Sequence, residues 1–268
     1  MKVSGLLTAL RGSAKGNRVR NQTSVWHSFI FPILGYFRRR RGRFLLSRFP
    51  EVRTFSICDL GGSEHFWDEL SIGISRKRIT LYNISRVETQ GLNTNSEHSD
   101  LVLYDGRRVP VEDGAFDLCI CNSVIEHVPP EQREQFAREI MRVGRRIFVQ
   151  TPAFEFPFEP HFLLPFLHWL PKPLGYWLAC ISPWRILSWA STATVRAYYF
   201  GTHLLTRDEL RKLFPGCSIT SERFLFFAKS HYVIRGVLTC KGGTDVENLD
   251  PSLRVDHAIQ TGGCSSDQ

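Results

Sequence analysis

The sequence lacks the cysteine patterns that mark metal-binding or disulfide-stabilised proteins. Its seven cysteines form no C-x-x-C pair and are not interleaved with histidine at metal-ligand spacing, so we expect no metal site. An odd, scattered set of cysteines is typical of reduced thiols and favours a cytoplasmic location. Cys119 and Cys121 stand two apart in a strand-like run, and we expect both to be buried on one face.

Long apolar runs are also missing. No uninterrupted stretch of about 18 apolar residues occurs, so a membrane-spanning helix is not expected. The opening segment, residues 1–16, has too short an apolar stretch to predict a signal peptide. There is no internal repeat. The chain has 268 residues, which is enough to bury one sizeable core.

Acidic residues are absent from residues 1–50, which hold eleven of the 34 lysines and arginines. The formal net charge of +8 therefore comes from this basic arm, since the rest of the chain has a small excess of acid. Aromatic and apolar residues precede arginines 38–41 and 43, a combination typical of an interfacial segment attracted to anionic lipids. A nucleic-acid patch and a solvated arm without a partner are the alternatives. The large apolar residues beside the arginines favour lipid over nucleic acid.

Composition divides the chain into five parts. Residues 1–50 are the arm, and residues 51–151 alternate strand and helix signals. Residues 152–204 are rich in proline and aromatics, residues 205–240 return to a helix followed by strands, and residues 241–268 form a polar tail that we expect to be disordered. Strands that alternate with helices predict a doubly wound, mostly parallel α/β sheet, whose ligand lies beyond the carboxyl ends of the strands.

The stretch "CDLGGSEHFW" suggests a ligand-facing turn. A strand ending in Asp59 is followed by Gly61 and Gly62, and a helix is expected to begin near Ser63. Missing Cβ atoms let a ligand approach the backbone closely. The dinucleotide pattern G-x-G-x-x-G does not fit, because Ser63 and Phe66 occupy its second and third glycine positions. A tight strand-to-helix turn without a ligand is the alternative.

Four stretches occur in an order that resembles a known family: "CDLGGSEHFW", "ITLYN", "YDGRRVPVEDGAFDLCICNSVIEHV" and "RRIFVQTP". Together they resemble class I S-adenosylmethionine-dependent methyltransferases of the methyltransferase type 11 group, over residues 45–238. The third stretch is the most specific. The resemblance implies a Rossmann-like, mostly parallel seven-stranded sheet, with the proline- and aromatic-rich segment as a cap insertion. It also implies S-adenosylmethionine as cofactor.

The resemblance implies a cofactor site made of eight residues: Asp59, Gly61, Gly62, Ser63, Asn83, Asp105, Gly106 and Asn122. Ser63 replaces the last glycine of the family's D-x-G-x-G, which cradles the methionine portion. Asn83 falls where an acid usually binds both ribose hydroxyls, and it lacks the charge assistance of a carboxylate. Asp105 falls where a side chain accepts from the adenine amino group, and Asn122 lines the methionine side. As alternatives, Asp105 starts an ordinary turn and Asn122 caps a short helix.

Three further residues are candidates for chemistry on the acceptor. Glu159 and His161 flank Pro160, so in an extended segment both side chains point the same way, and the carboxylate would make the imidazole a usable base. The alternative is that this pair clamps the fold of the insertion. His127 is a weaker candidate, because it follows Glu126 directly and adjacent residues on a helix diverge by about 100°.

The proline- and aromatic-rich insertion suggests how an acceptor is bound. Residues 152–189 hold seven of the 14 prolines and four of the six tryptophans, which predicts a jointed cap over the carboxyl edge of the sheet. The cap either closes an apolar pocket or rests on a membrane and admits a lipid-linked acceptor, and a purely structural cap is the third possibility. We therefore expect methyl transfer to a small-molecule, glycan or lipid-linked acceptor, with oxygen favoured over carbon or nitrogen. A non-catalytic cofactor- or membrane-binding module is the alternative.

Overall fold

A computed structural model describes residues 23–70, 72–85 and 99–236, with the backbone alone for residues 23–34 and 69. The predicted tail, residues 241–268, lies outside the described residues, as do the first 22 residues of the arm.

The core is a sheet of seven strands: β1 (Ile57–Leu60), β2 (Ile79–Asn83), β3 (Asp100–Leu103), β4 (Phe116–Asn122), β5 (Gly144–Pro152), β8 (Ser218–Phe224) and β9 (Phe227–Arg235). Their order in the sheet is β3-β2-β1-β4-β5-β9-β8. Strands β1 to β5 are parallel, and β9 pairs antiparallel with both β5 and β8. The predicted Rossmann-like sheet is thus confirmed. Every residue of β1 is buried, as expected for a parallel strand that is covered on both faces.

Helices cover both faces of this sheet. On one face lie α1 (Thr23–Arg48) and α2 (Glu64–Leu70), and on the other α3 (Arg133–Val143) and α7 (Arg207–Leu213). Cys119 and Cys121 are fully buried on the second face, as their spacing predicts. Helix α3 is preceded by a 3₁₀ turn, Pro130–Gln132, and is followed directly by β5, which begins at Gly144.

The end of the basic arm is part of the core. Phe44 of α1 packs against Phe148 and Tyr232, with ring centroids 6.1 and 4.8 Å apart. A Cβ on Gly42 would lie 2.6 Å from the carbonyl oxygen of Leu70, so only glycine allows α1 to approach α2 this closely. The arginine run therefore begins beside a packed helix face, not in a wholly solvated segment. No helix within the described ranges is long and apolar enough to cross a bilayer.

The insertion forms a small cap with its own apolar cluster. It contains the two-stranded pair β6 (Phe158–Glu159) and β7 (Leu164–Pro165), followed by the short helices α4 (Lys172–Ala179), α5 (Pro183–Ser188) and α6 (Thr192–Gly201). Helices α4 and α5 have proline in their first turns, and the serine at position 182 caps α5. The buried residues of the cap cluster are Phe162, Leu167, Ala179, Val195, Tyr198 and Tyr199.

Candidate active site

The carboxyl ends of the parallel strands bring most of the predicted site residues to one edge of the sheet. Asp59 is in register with Leu81 of β2 and Ile120 of β4, so β1, β2 and β4 end side by side. Asn83 and Asn122 are the last residues of β2 and β4. The Tyr104 amide donates to the carbonyl oxygen of Asn83 at 3.0 Å, which holds the segment after β3 against the same edge.

The glycine turn after β1 depends on both of its glycines. Gly61 has a φ of +76°, and a Cβ there would lie 2.7 Å from Cγ2 of Val124. A Cβ on Gly62 would overlap the Asp59 carboxylate. The turn is held in place because the Gly61 amide donates to the carbonyl oxygen of Tyr82 at 2.9 Å. The backbone at Gly61 and Gly62, between β1 and α2, therefore has no side chains that would keep a ligand away.

Asp59 and Asn83 each present a buried oxygen without a partner among the described residues. The Asp59 carboxylate is fully buried; Oδ2 accepts from Nε1 of Trp67 at 2.8 Å, while Oδ1 accepts from no group. Asn83 donates from Nδ2 to the carbonyl oxygen of Gly62 at 2.9 Å, and its Oδ1 is also unpartnered. Burial raises the pKa of Asp59 to about 7, although the Trp67 hydrogen bond lowers it. Oδ1 of Asp59 and Oδ1 of Asn83 are thus two hydrogen-bond acceptors beside the glycine turn that a bound ligand could satisfy.

We call the part of the sheet edge that carries the eight predicted cofactor residues the cofactor edge. Asp105, Gly106 and Ser63 are three of these residues, and none of the three is fully buried. Asp105 is exposed, and its Oδ1 accepts from the amides of Arg107 and Arg108 at 2.8 and 3.1 Å. These hydrogen bonds lower the pKa of Asp105. Gly106 has a φ of +79°. Ser63 precedes α2, and its hydroxyl accepts a long 3.4 Å hydrogen bond from the Phe66 amide. Asp105 thus makes the turn contacts of the simpler interpretation, and its role toward adenine stays a prediction.

Arg41 is a site residue that the sequence did not suggest. From α1 its Nη1 donates to Oδ1 of Asn122 at 2.6 Å, across 81 positions of sequence. The Arg41 side chain is mostly buried, and its Nε has no partner among the described residues. The sequence could not single out Arg41 from the neighbouring arginines. Arg41 faces inward because Phe37, Phe44 and Leu45 of the same helix are buried, and this packing determines which side of the helix faces the sheet.

A second group of polar side chains lies at the ends of β4 and β5. One ligand-type atom from each of Glu126, His127 and His161 lies within 4.8 Å of the other two. We call these three residues the cap-edge cluster. Glu126 and His127 occupy one 3₁₀ turn, Ile125–His127, and both side chains reach the same point although adjacent residues were expected to diverge.

Glu159 holds His161 in the cap-edge cluster. Oε1 of Glu159 lies 2.6 Å from Nδ1 of His161, and Oε2 accepts from the Phe162 amide at 2.7 Å. The predicted contact across Pro160 is therefore confirmed, whereas the choice between base and clamp stays open. Burial opposes protonation of His161, but the Glu159 and Glu126 carboxylates outweigh it and raise its pKa. In the opposite sense, burial and the neighbouring His161 lower the pKa of His127 to about 3.

The cap covers this cluster. The rings of His127 and His161 are 5.1 Å apart at their centroids, and Tyr198 of α6 packs against both, at 5.8 and 5.7 Å. Thr202, which follows α6, places its hydroxyl 3.2 Å from Nδ1 of His127. The fully buried Glu126 accepts from the hydroxyl of Thr151 at 3.0 Å. Core and cap thus both contribute to one secluded polar site. It lies next to the glycine turn, which touches Val124.

The fold and the edge define the class of the protein. A seven-stranded sheet of this order, with bare glycines after its first strand, is the Rossmann-like fold of class I methyltransferases. A family model described as a methyltransferase domain matches residues 60–146, which run from the end of β1 into β5. The chain therefore contains a methyltransferase domain on a Rossmann-like fold, and S-adenosylmethionine is its cofactor. Among curated proteins, no sequence matches it.

Solved structures with a similar fold are distant in sequence. A SAM-dependent methyltransferase from Archaeoglobus fulgidus is 13% identical, with a TM-score of 0.45 over 77% of this chain and 98% of that one. Magnesium protoporphyrin IX methyltransferase from Synechocystis PCC 6803 with bound SAM is 14% identical, with a TM-score of 0.45 over 85% and 88%. Human N-acetylserotonin methyltransferase in complex with SAM is 19% identical, with a TM-score of 0.43 over 72% and 50%.

Proposed function

We propose that this methyltransferase acts on a hydroxyl oxygen of an acceptor that is presented at an anionic membrane surface. The observation that carries the proposal is the cap-edge cluster, a buried polar site at the carboxyl edge beside the glycine turn. Methyl transfer from a sulfonium needs an aligned acceptor and, for a hydroxyl, a group that takes its proton. The cluster supplies nitrogen and oxygen atoms for that purpose, and the cap packs against it through Tyr198.

The cofactor edge would hold S-adenosylmethionine by matching its charges. The unpartnered oxygens of Asp59 and Asn83 would accept from the ammonium group and from a ribose hydroxyl, which removes the cost of leaving them unpaired. Arg41 would pair with the carboxylate of the methionine portion beside Asn122. Gly61 and Gly62 let the ligand approach the backbone. The cofactor supplies the methyl group and a sulfonium leaving group, so the protein has only to position the acceptor and manage one proton.

On the acceptor side, Nδ1 of His161 faces Glu159, so its Nε2 remains for the acceptor. His161 would take the hydroxyl proton on Nε2 while the acceptor oxygen receives the methyl group, and the bound cofactor would supply that methyl group with a neutral thioether as leaving group. Glu159 keeps the ring in the required orientation. This arrangement resembles the pairing of a general base with an orienting carboxylate.

His161→Ala tests this assignment. We expect turnover with hydroxyl acceptors to fall by about 10²–10⁴-fold, while the Kd for S-adenosylmethionine, measured by isothermal titration calorimetry, changes by less than about threefold. His65→Ala is the matched control, because His65 is exposed on α2 and lies outside the cluster. Equal losses of turnover and cofactor affinity in His161→Ala would show that the side chain maintains the fold and not the reaction.

The membrane part of the proposal rests on apolar residues at the same edge. Leu225 and Phe226, at the tip of the β8–β9 hairpin, are 77% and 92% exposed. Pro152 at the end of β5 is in register with Ser230, so this tip projects beyond the carboxyl edge where the site lies. Exposed large apolar side chains at a tip are costly in water and typical of surfaces that enter a membrane interface.

Positive charge accompanies this apolar tip. Phe37 of α1 packs against Phe224 of the hairpin at 5.8 Å, so the helix that carries the arginine run lies beside the tip. Arg39 and Arg43 are exposed, and Arg223 adds a third exposed guanidinium on β8. Basic residues beside an apolar tip favour anionic over zwitterionic lipid. A lipid-linked acceptor bound from that surface would meet the cap and the cofactor edge directly.

Vesicle co-sedimentation of the double variant Leu225→Ser/Phe226→Ser tests the surface. We expect at least a tenfold loss of binding to vesicles that contain phosphatidylglycerol, because each side chain loses about 1.5–3 kcal/mol of apolar burial. Wild-type binding should weaken with salt and be much lower on pure phosphatidylcholine. Ile186→Ser/Trp189→Ser is the matched control on the exposed face of the cap. Loss of binding in the control but not in the hairpin variant would refute the hairpin assignment.

A further inference from the structure

We propose that Glu126, His127 and His161 bind one divalent metal ion of the zinc type. Their three ligand atoms lie within 4.8 Å of one another, in the interior between the core and the cap. The inference rests on the proposed function, because the cluster is the one that we assign to the acceptor hydroxyl. It changes one step of that function, namely the group that activates the hydroxyl.

Both histidines are prepared as metal ligands by their second ring nitrogens. Nδ1 of His161 lies 2.6 Å from the Glu159 carboxylate, and Nδ1 of His127 lies 3.2 Å from the hydroxyl of Thr202. In each ring Nε2 is therefore the nitrogen left for the cluster. A carboxylate or hydroxyl on the outer nitrogen is the usual support of a metal-bound histidine, since it fixes the tautomer and the ring orientation.

Glu126 gives an independent reason to place a cation in this cluster. Its side chain has no exposed surface, and Oε1 has no hydrogen-bond partner among the described residues, while Oε2 accepts from Thr151. A buried carboxylate oxygen without a partner is costly. A metal ion at the centre of the cluster would complete the coordination of this oxygen.

The charges around the site favour a cation. Two carboxylates, Glu126 and Glu159, face the cluster, and one guanidinium, Arg133, lies nearby. Arg133 directs its donors to backbone, with Nη2 2.6 Å from the carbonyl oxygen of His203 and 3.5 Å from that of Glu126. Two carboxyl groups thus stand against one guanidinium around the cluster, which favours a bound cation.

The ligand set points to zinc rather than magnesium or calcium. Two imidazoles and one carboxylate form a borderline donor set, whereas the hard cations prefer oxygen ligands alone. Zinc bonds of about 2.0–2.2 Å place tetrahedral ligand atoms about 3.4 Å apart, so small side-chain rotations would close the site. Three protein ligands leave a fourth position open, as in catalytic zinc centres.

The ion would serve both the fold and the reaction. Glu126 and His127 belong to the core, while His161 belongs to the cap, so a shared ion would fasten one to the other. Nε2 of His161 then carries the ion instead of the acceptor's proton. An acceptor hydroxyl at the open position would have a lowered pKa and lose its proton to water, and its oxygen would then take the methyl group from the sulfonium.

Zinc titration of the full chain, stripped with a chelator and dialysed, tests the site. We expect one Zn²⁺ per chain by calorimetry and elemental analysis, together with a higher Tm. Glu126→Gln and His127→Ala should each weaken binding at least about 100-fold, and Glu159→Gln, which changes only the orienting group, about 10–100-fold. His65→Ala should bind as the wild type does. Circular dichroism confirms that each variant is folded.

Several results would overturn the inference. These are no saturable zinc binding, equal losses in His65→Ala and the cluster variants, or preferential binding of Mg²⁺. Full turnover by the metal-free enzyme would also refute the metal's role in the reaction while leaving the proposed O-methylation intact. Conversely, stoichiometric zinc binding that requires the three residues, without turnover on any hydroxyl acceptor, would support the metal site and refute the proposed function.

Discussion

The glycine turn and the cap-edge cluster lie at the same edge of the sheet, but they are built differently. The turn is formed by consecutive residues, Asp59 to Gly62, and its shape follows from the absence of two side chains. The cluster joins a 3₁₀ turn after β4 to a residue of the cap, and it depends on tertiary packing against Tyr198 and Thr202. In our proposal this contrast separates two tasks: the turn would bind the cofactor, whereas the cluster would bind the acceptor and remove its proton.

Among the variants of the cofactor side, Gly62→Ala has the largest expected effect. The added Cβ would overlap the Asp59 carboxylate inside the turn, so we expect the affinity for S-adenosylmethionine to fall at least about 100-fold, or about 3 kcal/mol. Calorimetric titration measures the loss. Gly216→Ala is the control, since it also replaces a turn glycine but its Cβ would meet no atom within 4 Å. Wild-type affinity in Gly62→Ala would contradict the assignment of the turn.

Arg41→Gln tests whether Arg41 binds the carboxylate of S-adenosylmethionine. Loss of a charge-assisted pair should weaken S-adenosylmethionine binding by about 10–100-fold. Decarboxylated S-adenosylmethionine lacks the carboxylate, so the wild type should discriminate against it and the variant should not. Arg39→Gln, an exposed neighbour on α1, is the control. Discrimination that persists in Arg41→Gln would show that another group binds the carboxylate.

The pH dependence of stability tests the environment of Asp59. Its pKa in the folded protein is raised to about 7 from 3.8, so its contribution to stability is fully present below pH about 4 and is lost as the pH rises through 7. The Tm of the cofactor-free wild type should therefore fall relative to that of Asp59→Asn between pH 5 and pH 8, by about 5 °C. Parallel Tm curves would mean that the carboxyl is not buried as described.

The smallest expected effect separates the two interpretations of Asp105. Asp105→Ala should weaken cofactor binding about fivefold, or about 1 kcal/mol, the usual value of one hydrogen bond. Asp105→Asn retains an oxygen for the amides of Arg107 and Arg108 and should preserve the turn. If both variants bind S-adenosylmethionine as the wild type does, Asp105 is a turn residue alone.

The sequence predicts the sheet well because its strands are locally encoded. The apolar run "FDLCICN" coincides with β4. The turn after β1 could be predicted from Gly61 and Gly62, because neither position has room for a side chain. Arg41 and Glu126 were not predicted as site residues. Their roles depend on which face of α1 packs on the sheet and on how the cap folds back over β4, and no local pattern determines either. The Glu159–His161 contact could be predicted, since spacing alone determines it.

The central claim is that the edge beside Gly61 and Gly62 binds S-adenosylmethionine. Titration of the cofactor into the full chain by calorimetry tests it most directly. We predict one saturable site per chain with a Kd below about 100 µM, lost in Gly62→Ala and retained in Gly216→Ala. No saturable binding at millimolar S-adenosylmethionine would contradict the claim.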